Sequence, residues 1–205
     1  MTQARSKDMA ATAIKPRSFG QLRRQGISRL REEWANTTEV EFEVGFTWYD
    51  EAHAWCVRLA FKHGMTTEQV ACIAAVLSPR LPWHRAIDLT ERLLDGEDIS
   101  SLALGRSVRK AEQVLAGLDP WTVVSGNKET AFAHNLTGDY KWTTIDTHSF
   151  GQVSGRDYNG GGAHFLERVG VYRMYSECFE VVARENGMEP AVLQAILWVH
   201  TRGSA

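Results

Sequence analysis

Cysteine is scarce in this chain: three in 205 residues, Cys56, Cys72 and Cys178, widely spaced and without a CxxC pair. Three scattered thiols cannot build a disulfide framework or hold a metal cluster, and they fit buried thiols in a reducing compartment. Long hydrophobic runs are also missing. The longest apolar-rich stretch, Val70 to Leu77, has eight residues including Cys72, far short of a bilayer span. No continuous apolar segment follows the basic N-terminal residues, so no secretory leader is expected. The seven histidines (His53, His63, His84, His134, His148, His164, His200) show no HExxH or other ligand spacing. No metal and no other cofactor is expected from them. Secreted, membrane and fibrous classes are excluded, and a cytoplasmic globular protein with no membrane partner is expected.

What is present is an ordinary globular composition, 43% hydrophobic and 23% charged, with seven tryptophans that supply large faces to bury. Most of them sit at helix-face spacing beside other apolar residues and read as core anchors. A net charge of −2 hides an asymmetry. Residues 1–31 hold eight basic side chains (Arg5, Lys7, Lys15, Arg17, Arg23, Arg24, Arg29, Arg31) against Asp8, a balance of +7, while the rest carries −9. Such an arm either solubilises the chain or tracks phosphates; the acidic body speaks against extensive duplex contact.

The pattern of apolar positions predicts an all-α protein of eight or nine helices joined by short loops. Residues 1–21 read as a flexible basic arm and 22–205 as one helical domain. Leu22 to Trp34 reads as a helix. Glu39 to Val44 alternates with period two and reads as a short strand or extended segment. Asp50 to His63 is a helix stopped by Gly64, and Thr66-x-x-Gln69 has the form of a capping box for the apolar helix Val70–Leu77. Pro82 opens a helix that runs to Gly96, and Ser107 to Gly117 forms the next. After Pro120 a turn at Ser125-Gly126-Asn127 leads into a helix from Lys128 to Leu136. Ile145 to Gln152 is a short helix capped near Thr144 or Asp146, and a Gly160-Gly161-Gly162 turn follows. Phe165 to Asn186 and Pro190 to about His200 close the chain.

Lys128 carries the chemistry of interest. It follows a glycine turn and sits at a helix N-terminus, where the helix dipole disfavours a cation. A suppressed proton leaves a better amine nucleophile, the tuning that Schiff-base chemistry needs. Asp146, near the next helix start, is held ionised by backbone N–H groups. By residue type alone the pair also reads as a surface lysine and an N-cap aspartate. His148 reads as ordering its own helix start.

These residues resemble the helix-hairpin-helix GPD superfamily of DNA glycosylases, endonuclease III-like in layout. In that family a lysine follows a Gly-x-Gly hairpin, and the aspartate of an Asp-Thr-His segment lies 18 residues on. Lys128 and Asp146-Thr147-His148 have that spacing, and Gly126 stands two residues before the lysine. Lys110-Ala111-Glu112, Val76-Leu77-Ser78 and Ile196-Leu197-Trp198-Val199-His200 resemble further family segments in the same order, so the likeness covers roughly residues 66 to 202. It implies a two-lobed helical fold with a cleft between a central lobe, about 66–140, and a second lobe from about 22–65 plus 141–205.

The activity it implies is excision of a modified or damaged base flipped from double-stranded DNA. Lys128 would attack C1′, with AP-lyase activity through the resulting imine, and Asp146 would stabilise cationic character on the sugar or help activate the amine. Ser125, Gly126 and Asn127 would hold a phosphate. Arg80 and Leu81 fall where the family inserts a wedge into the base stack, and Trp83, His84 and His148 would line the base pocket.

The chain departs from the family in three places. Its hairpin, Val123-Val124-Ser125-Gly126-Asn127, has one glycine, the helix before it is cut down or absent, and the cysteines of the iron–sulfur form are missing. The compact form also resembles phage-associated relatives proposed to act in thymine hypermodification, which suits a bacterial or phage-infected host cell. That alternative modifies the base and leaves the glycosidic bond intact. A third reading is a non-catalytic DNA-binding module.

Overall fold

Three of the first helices open on the same device. In a computed structural model that describes residues 18–156 and 162–202, Ser18 caps α1 (Phe19–Asn36) reciprocally with Gln21. Thr38 does the same for α2 (Glu39–His63) with Glu41, and Thr66 for α3 (Thr67–Leu77) with Gln69. Each box satisfies N–H groups that a helix start leaves bare. There follow α4 (Trp83–Leu94), α5 (Gly105–Leu115), α6 (Pro120–Val123), α7 (Asn127–Leu136), α8 (Thr147–Ser154), α9 (Gly162–Leu166), α10 (Val171–Glu185) and α11 (Pro190–Arg202). The described residues are helical with no strand.

The expected strand at Glu39–Val44 is therefore corrected: those residues form the first turns of α2. An alternation of Glu with Val and Phe fits a strand by period, yet it also places Val40 and Val44 four apart on one helix stripe. The capping box at Thr38 and Glu41 decides for the helix. A second correction concerns Phe165–Asn186, which is broken between α9 and α10, with Gly170 in the left-handed region at φ 79°. Phe19 to Gln21, expected in the arm, belong instead to α1, whose Leu22, Ile27 and Leu30 are buried. Residues 1–17 lie outside the described residues, as do Gly160 and Gly161 of the expected glycine turn; Gly162 opens α9. The turn before Lys128 is preceded by the four-residue α6, with Pro120 in its first turn.

Two clusters of buried side chains form the interior. One gathers α2 to α7, with Ala191 and Ala195 from α11. The other gathers α1, α8, α10 and Leu166 of α9, with Leu193 and Leu197 from α11. α11 thus serves both clusters. The buried residues of α2, among them Tyr49, Trp55 and Leu59, join the cluster of residues 66–140, although the lobes implied by the resemblance place residues 22–65 with 141–205. α2 and α11 cross with no side chain between their backbones at Gly45, where an added Cβ would meet Ile196 Cα, N and Cγ1. This crossing fixes the spacing of two helices that both reach the site described next.

Candidate active site

Lys128 is the second residue of α7, directly behind a turn that needs glycine. Gly126 has φ 91° and serves as N-cap with no side-chain hydrogen bond to the helix. An L side chain rarely adopts that conformation, so the glycine there sets the entry angle of α7. From this position the Lys128 amine reaches the end of α3 and donates to Ser78 Oγ at 2.9 Å. Ser78 Oγ in turn donates to the Ala75 carbonyl at 2.9 Å. One turn along α7, the Phe132 ring centroid lies 5.1 Å from the ammonium nitrogen. Burial pushes the amine below the ordinary lysine pKa of 10.5, against the opposing pull of Asp146 and Glu129.

Asp146 comes to the same place from the other cluster. As N-cap of α8 its Oδ1 accepts from the Ser149 N–H at 2.8 Å, and its Oδ2 accepts from the Trp198 indole N–H at 3.0 Å. Both oxygens are thereby oriented by fixed donors. Behind them runs a buried polar chain. Gln194 Nε2 donates to Ser149 Oγ at 3.1 Å, and the Tyr49 hydroxyl donates to Gln194 Oε1 at 3.0 Å. Thr144 Oγ1 lies 3.2 Å from the Tyr49 hydroxyl and accepts from Asn135 Nδ2 at 3.0 Å. Burial raises the Tyr49 pKa to about 12 and keeps the phenol protonated. Among the described residues Asn135 Oδ1 has no hydrogen-bond partner; the remaining bonds of the chain hold Asp146 and its neighbours in one geometry.

Lys128 and Asp146 line a common cavity of about 90 Å³ with Ser78, Leu81, Thr144 and Gln194. Its aromatic wall is Trp48, Trp83, Phe132 and Trp198. The Trp48 ring lies 5.5 Å from Trp83, 6.2 Å from Trp198 and 6.3 Å from Phe132. Trp48, Trp83 and Trp198 also form part of an outer groove of about 890 Å³, rimmed by Glu43, Glu51, Arg58 and Arg202.

Of the residues read from the sequence, Lys128, Asp146, Leu81 and Trp83 meet in the small cavity. His84 lines the outer groove instead. Arg80 is exposed in the loop between α3 and α4 and holds φ 65°, a left-handed conformation that costs a non-glycine residue about 1 kcal/mol. Ser125, Gly126 and Asn127 are exposed at the turn before Lys128, with Ser125 Oγ engaged by Lys110. His148 is half-buried in the first turn of α8 and lines neither cavity. The sequence did not single out Trp48, Tyr49, Phe132, Thr144, Gln194 or Trp198 as site residues. Ser78 stood only at the end of a family-like segment, which was its one signal.

The lowered lysine pKa has a consequence for stability. Between the folded-state pKa and 10.5 the unfolded chain binds the proton that the folded chain lacks, so folding gains stability as pH rises through that window. Below it, burial of the amine costs the folded state. Lys128→Met is therefore expected to resist urea better than wild type at pH 7, with the advantage shrinking by pH 10. A gap that stays constant between those pH values contradicts burial of the amine.

No helix among the described residues is long and apolar enough to cross a membrane. Among the same residues no group of three or more His, Cys, Asp or Glu is placed to hold a metal ion. The family of unknown function (DUF7178) matches the chain over residues 13–205. No curated protein and no solved structure matches it.

Proposed function

We propose, from the premise that the chain belongs to the DUF7178 family of unknown function, that it is a DNA glycosylase-like enzyme acting on a flipped modified or damaged base. The observation that carries this reading is the Lys128 amine: buried, bonded to the neutral Ser78 hydroxyl, and sharing an aromatic-walled cavity with an oriented carboxylate. An amine so placed gives up its proton more readily than an exposed lysine, and the carboxylate stands ready for positive charge that develops nearby.

In the proposed reaction the Lys128 nitrogen lone pair attacks C1′ of the flipped nucleotide. The C1′–N bond to the base breaks, and the base leaves with the bonding pair and takes up a proton. Asp146 stabilises the cationic sugar as that bond lengthens. The attached nitrogen gives up one proton to match the one the base takes up; the C1′–O4′ bond then breaks as C1′=N forms, and the nitrogen's second proton passes to O4′. Loss of a C2′ proton from this imine expels the 3′-phosphate and cuts the strand. The indoles of Trp48, Trp83 and Trp198 offer faces on which a flipped base stacks. Two core clusters meeting at the site suit a two-lobed glycosylase arrangement. The uncapped start of α7 offers backbone N–H groups to a phosphate of duplex DNA.

One observation favours a second reading, modification of the base with its glycosidic bond kept. The outer groove shares three indoles with the cavity and has room for a second substrate. Incubation with duplexes carrying uracil, oxidised pyrimidines, 5-hydroxymethyluracil or an abasic site separates the two. Base release from a modified duplex and scission at the abasic site are expected; intact strands and retained bases throughout contradict the glycosylase reading.

A further inference from the structure

Two carboxylates act on the Lys128 amine, and each is engaged by another donor. Asp146 is held by the Ser149 N–H and the Trp198 indole. Glu129, next to Lys128 in α7, is held by Lys110 of α5: Lys110 Nζ lies 2.6 Å from Glu129 Oε2 and donates to Ser125 Oγ at 2.9 Å. Both side chains of that pair are largely buried, 24% and 15% exposed, so the contact is shielded from solvent screening far better than a surface pair. The amine is left to bond a neutral hydroxyl.

We infer that Lys110 is a positioning residue for Lys128, one that withdraws the Glu129 carboxylate from the amine and ties the hairpin turn to α5. This inference rests on the reading of Lys128 as a nucleophile and adds what weakens the pull of a neighbouring carboxylate on its proton. Without Lys110, the full negative charge of Glu129 falls on its neighbour and favours the ammonium form. The hairpin also loses its tie at Ser125, on the turn that sets the direction of α7.

The other groups around α7 do not substitute for this pair. From α2, Tyr49 stays protonated to about 12, and His53 Nδ1 bonds the Leu136 carbonyl at the far end of α7. The Cys72 thiol of α3 is also pushed up to about 12 by burial. His134, on α7 itself, is stacked between Trp121 and Trp142 beside Asp139. Asp146, at the start of α8, keeps its own donors.

The test needs no DNA. The full-length protein is methylated with formaldehyde and cyanoborohydride across a pH series, and modification of Lys128 is read by peptide mass spectrometry. In Lys110→Met the pH midpoint of Lys128 labelling is expected to rise by about one unit, a tenfold change in the free amine below the midpoint. Glu129→Gln leaves Lys110 charged and unpaired, and is expected to lower the midpoint. The double variant is expected to return it close to that of wild type.

A Lys110→Met midpoint unchanged in a folded protein overturns the inference, as does a shift that persists in the double variant. Should Lys110→Met fail to fold, Glu129→Gln decides, and an unmoved midpoint there overturns it. Labelling that behaves as expected beside absent DNA chemistry would remove the glycosylase reading and leave this one standing.

Discussion

Gly45→Ala is expected to destabilise the protein by about 3 kcal/mol, the upper end of the usual range for overpacking, and to lower its melting temperature by roughly 6–12 °C. Two effects compete. Alanine gains up to about 1 kcal/mol over glycine in a helix interior. Against that, the new Cβ would fall inside the van der Waals surface of Ile196 Cα and lie 2.7 Å from its nitrogen. Backbone atoms in a helix cannot rotate aside as a side chain can, so the clash wins and α2 must separate from α11. Trp48 and Tyr49 stand one turn beyond Gly45, while Gln194 and Trp198 flank Ile196. The separation therefore loosens the Tyr49–Gln194 hydrogen bond and the Trp48–Trp198 contact as well as the core. Gly20→Ala is the control. Its Cβ would meet Arg24 Nη1 at 3.6 Å, an ordinary contact, and the melting temperature is expected to hold or rise. Equal melting temperatures for Gly45→Ala and wild type would show that the helices do not cross as described.

On the proposed glycosylase reading, Asp146→Asn is expected to lower the rate of base release about 10²–10³-fold, the usual loss when one preorganised electrostatic group is removed. The substitution isolates charge from structure. Asparagine caps a helix as well as aspartate, so its amide oxygen keeps the Ser149 N–H bond and the start of α8 stays in place. The second carboxylate oxygen becomes an NH₂ that faces the Trp198 indole, a lost hydrogen bond that costs about 1 kcal/mol of stability. A folded variant with an undiminished rate would take Asp146 out of the chemistry.

The half of the site that is local was legible in the sequence. A glycine turn fixes the start of α7, a cap fixes the start of α8, and both features lie within a few residues of Lys128 and Asp146. Everything that surrounds them is tertiary. Trp48 and Trp198 stand 150 residues apart, and the crossing at Gly45 and Ile196 brings their helices together. Trp48 has no neighbour in sequence that would mark it as more than a core anchor, and Trp198 stood only within a family-like segment that gave it no role. Ser78 reads as an ordinary helix end until α7 packs against α3 and brings the amine to it.

The fold divides in the same way. Caps and glycine stops set most helix boundaries, as at Thr66 and Gly64. The misread segments were ambiguous on local grounds: the alternation at Glu39–Val44 also fits a helix stripe. At Gly170, the left-handed backbone that breaks the expected helix before α10 left no apolar signal.

The most direct measurement is borohydride trapping of the protein on duplex DNA carrying an abasic site, with the adduct mapped by peptide mass spectrometry. A covalent protein–DNA adduct at Lys128, absent in Lys128→Ala, is expected and would place the buried amine at C1′. A folded wild-type protein that forms no adduct, or one that is trapped equally well after Lys128→Ala, would contradict Lys128 as the nucleophile.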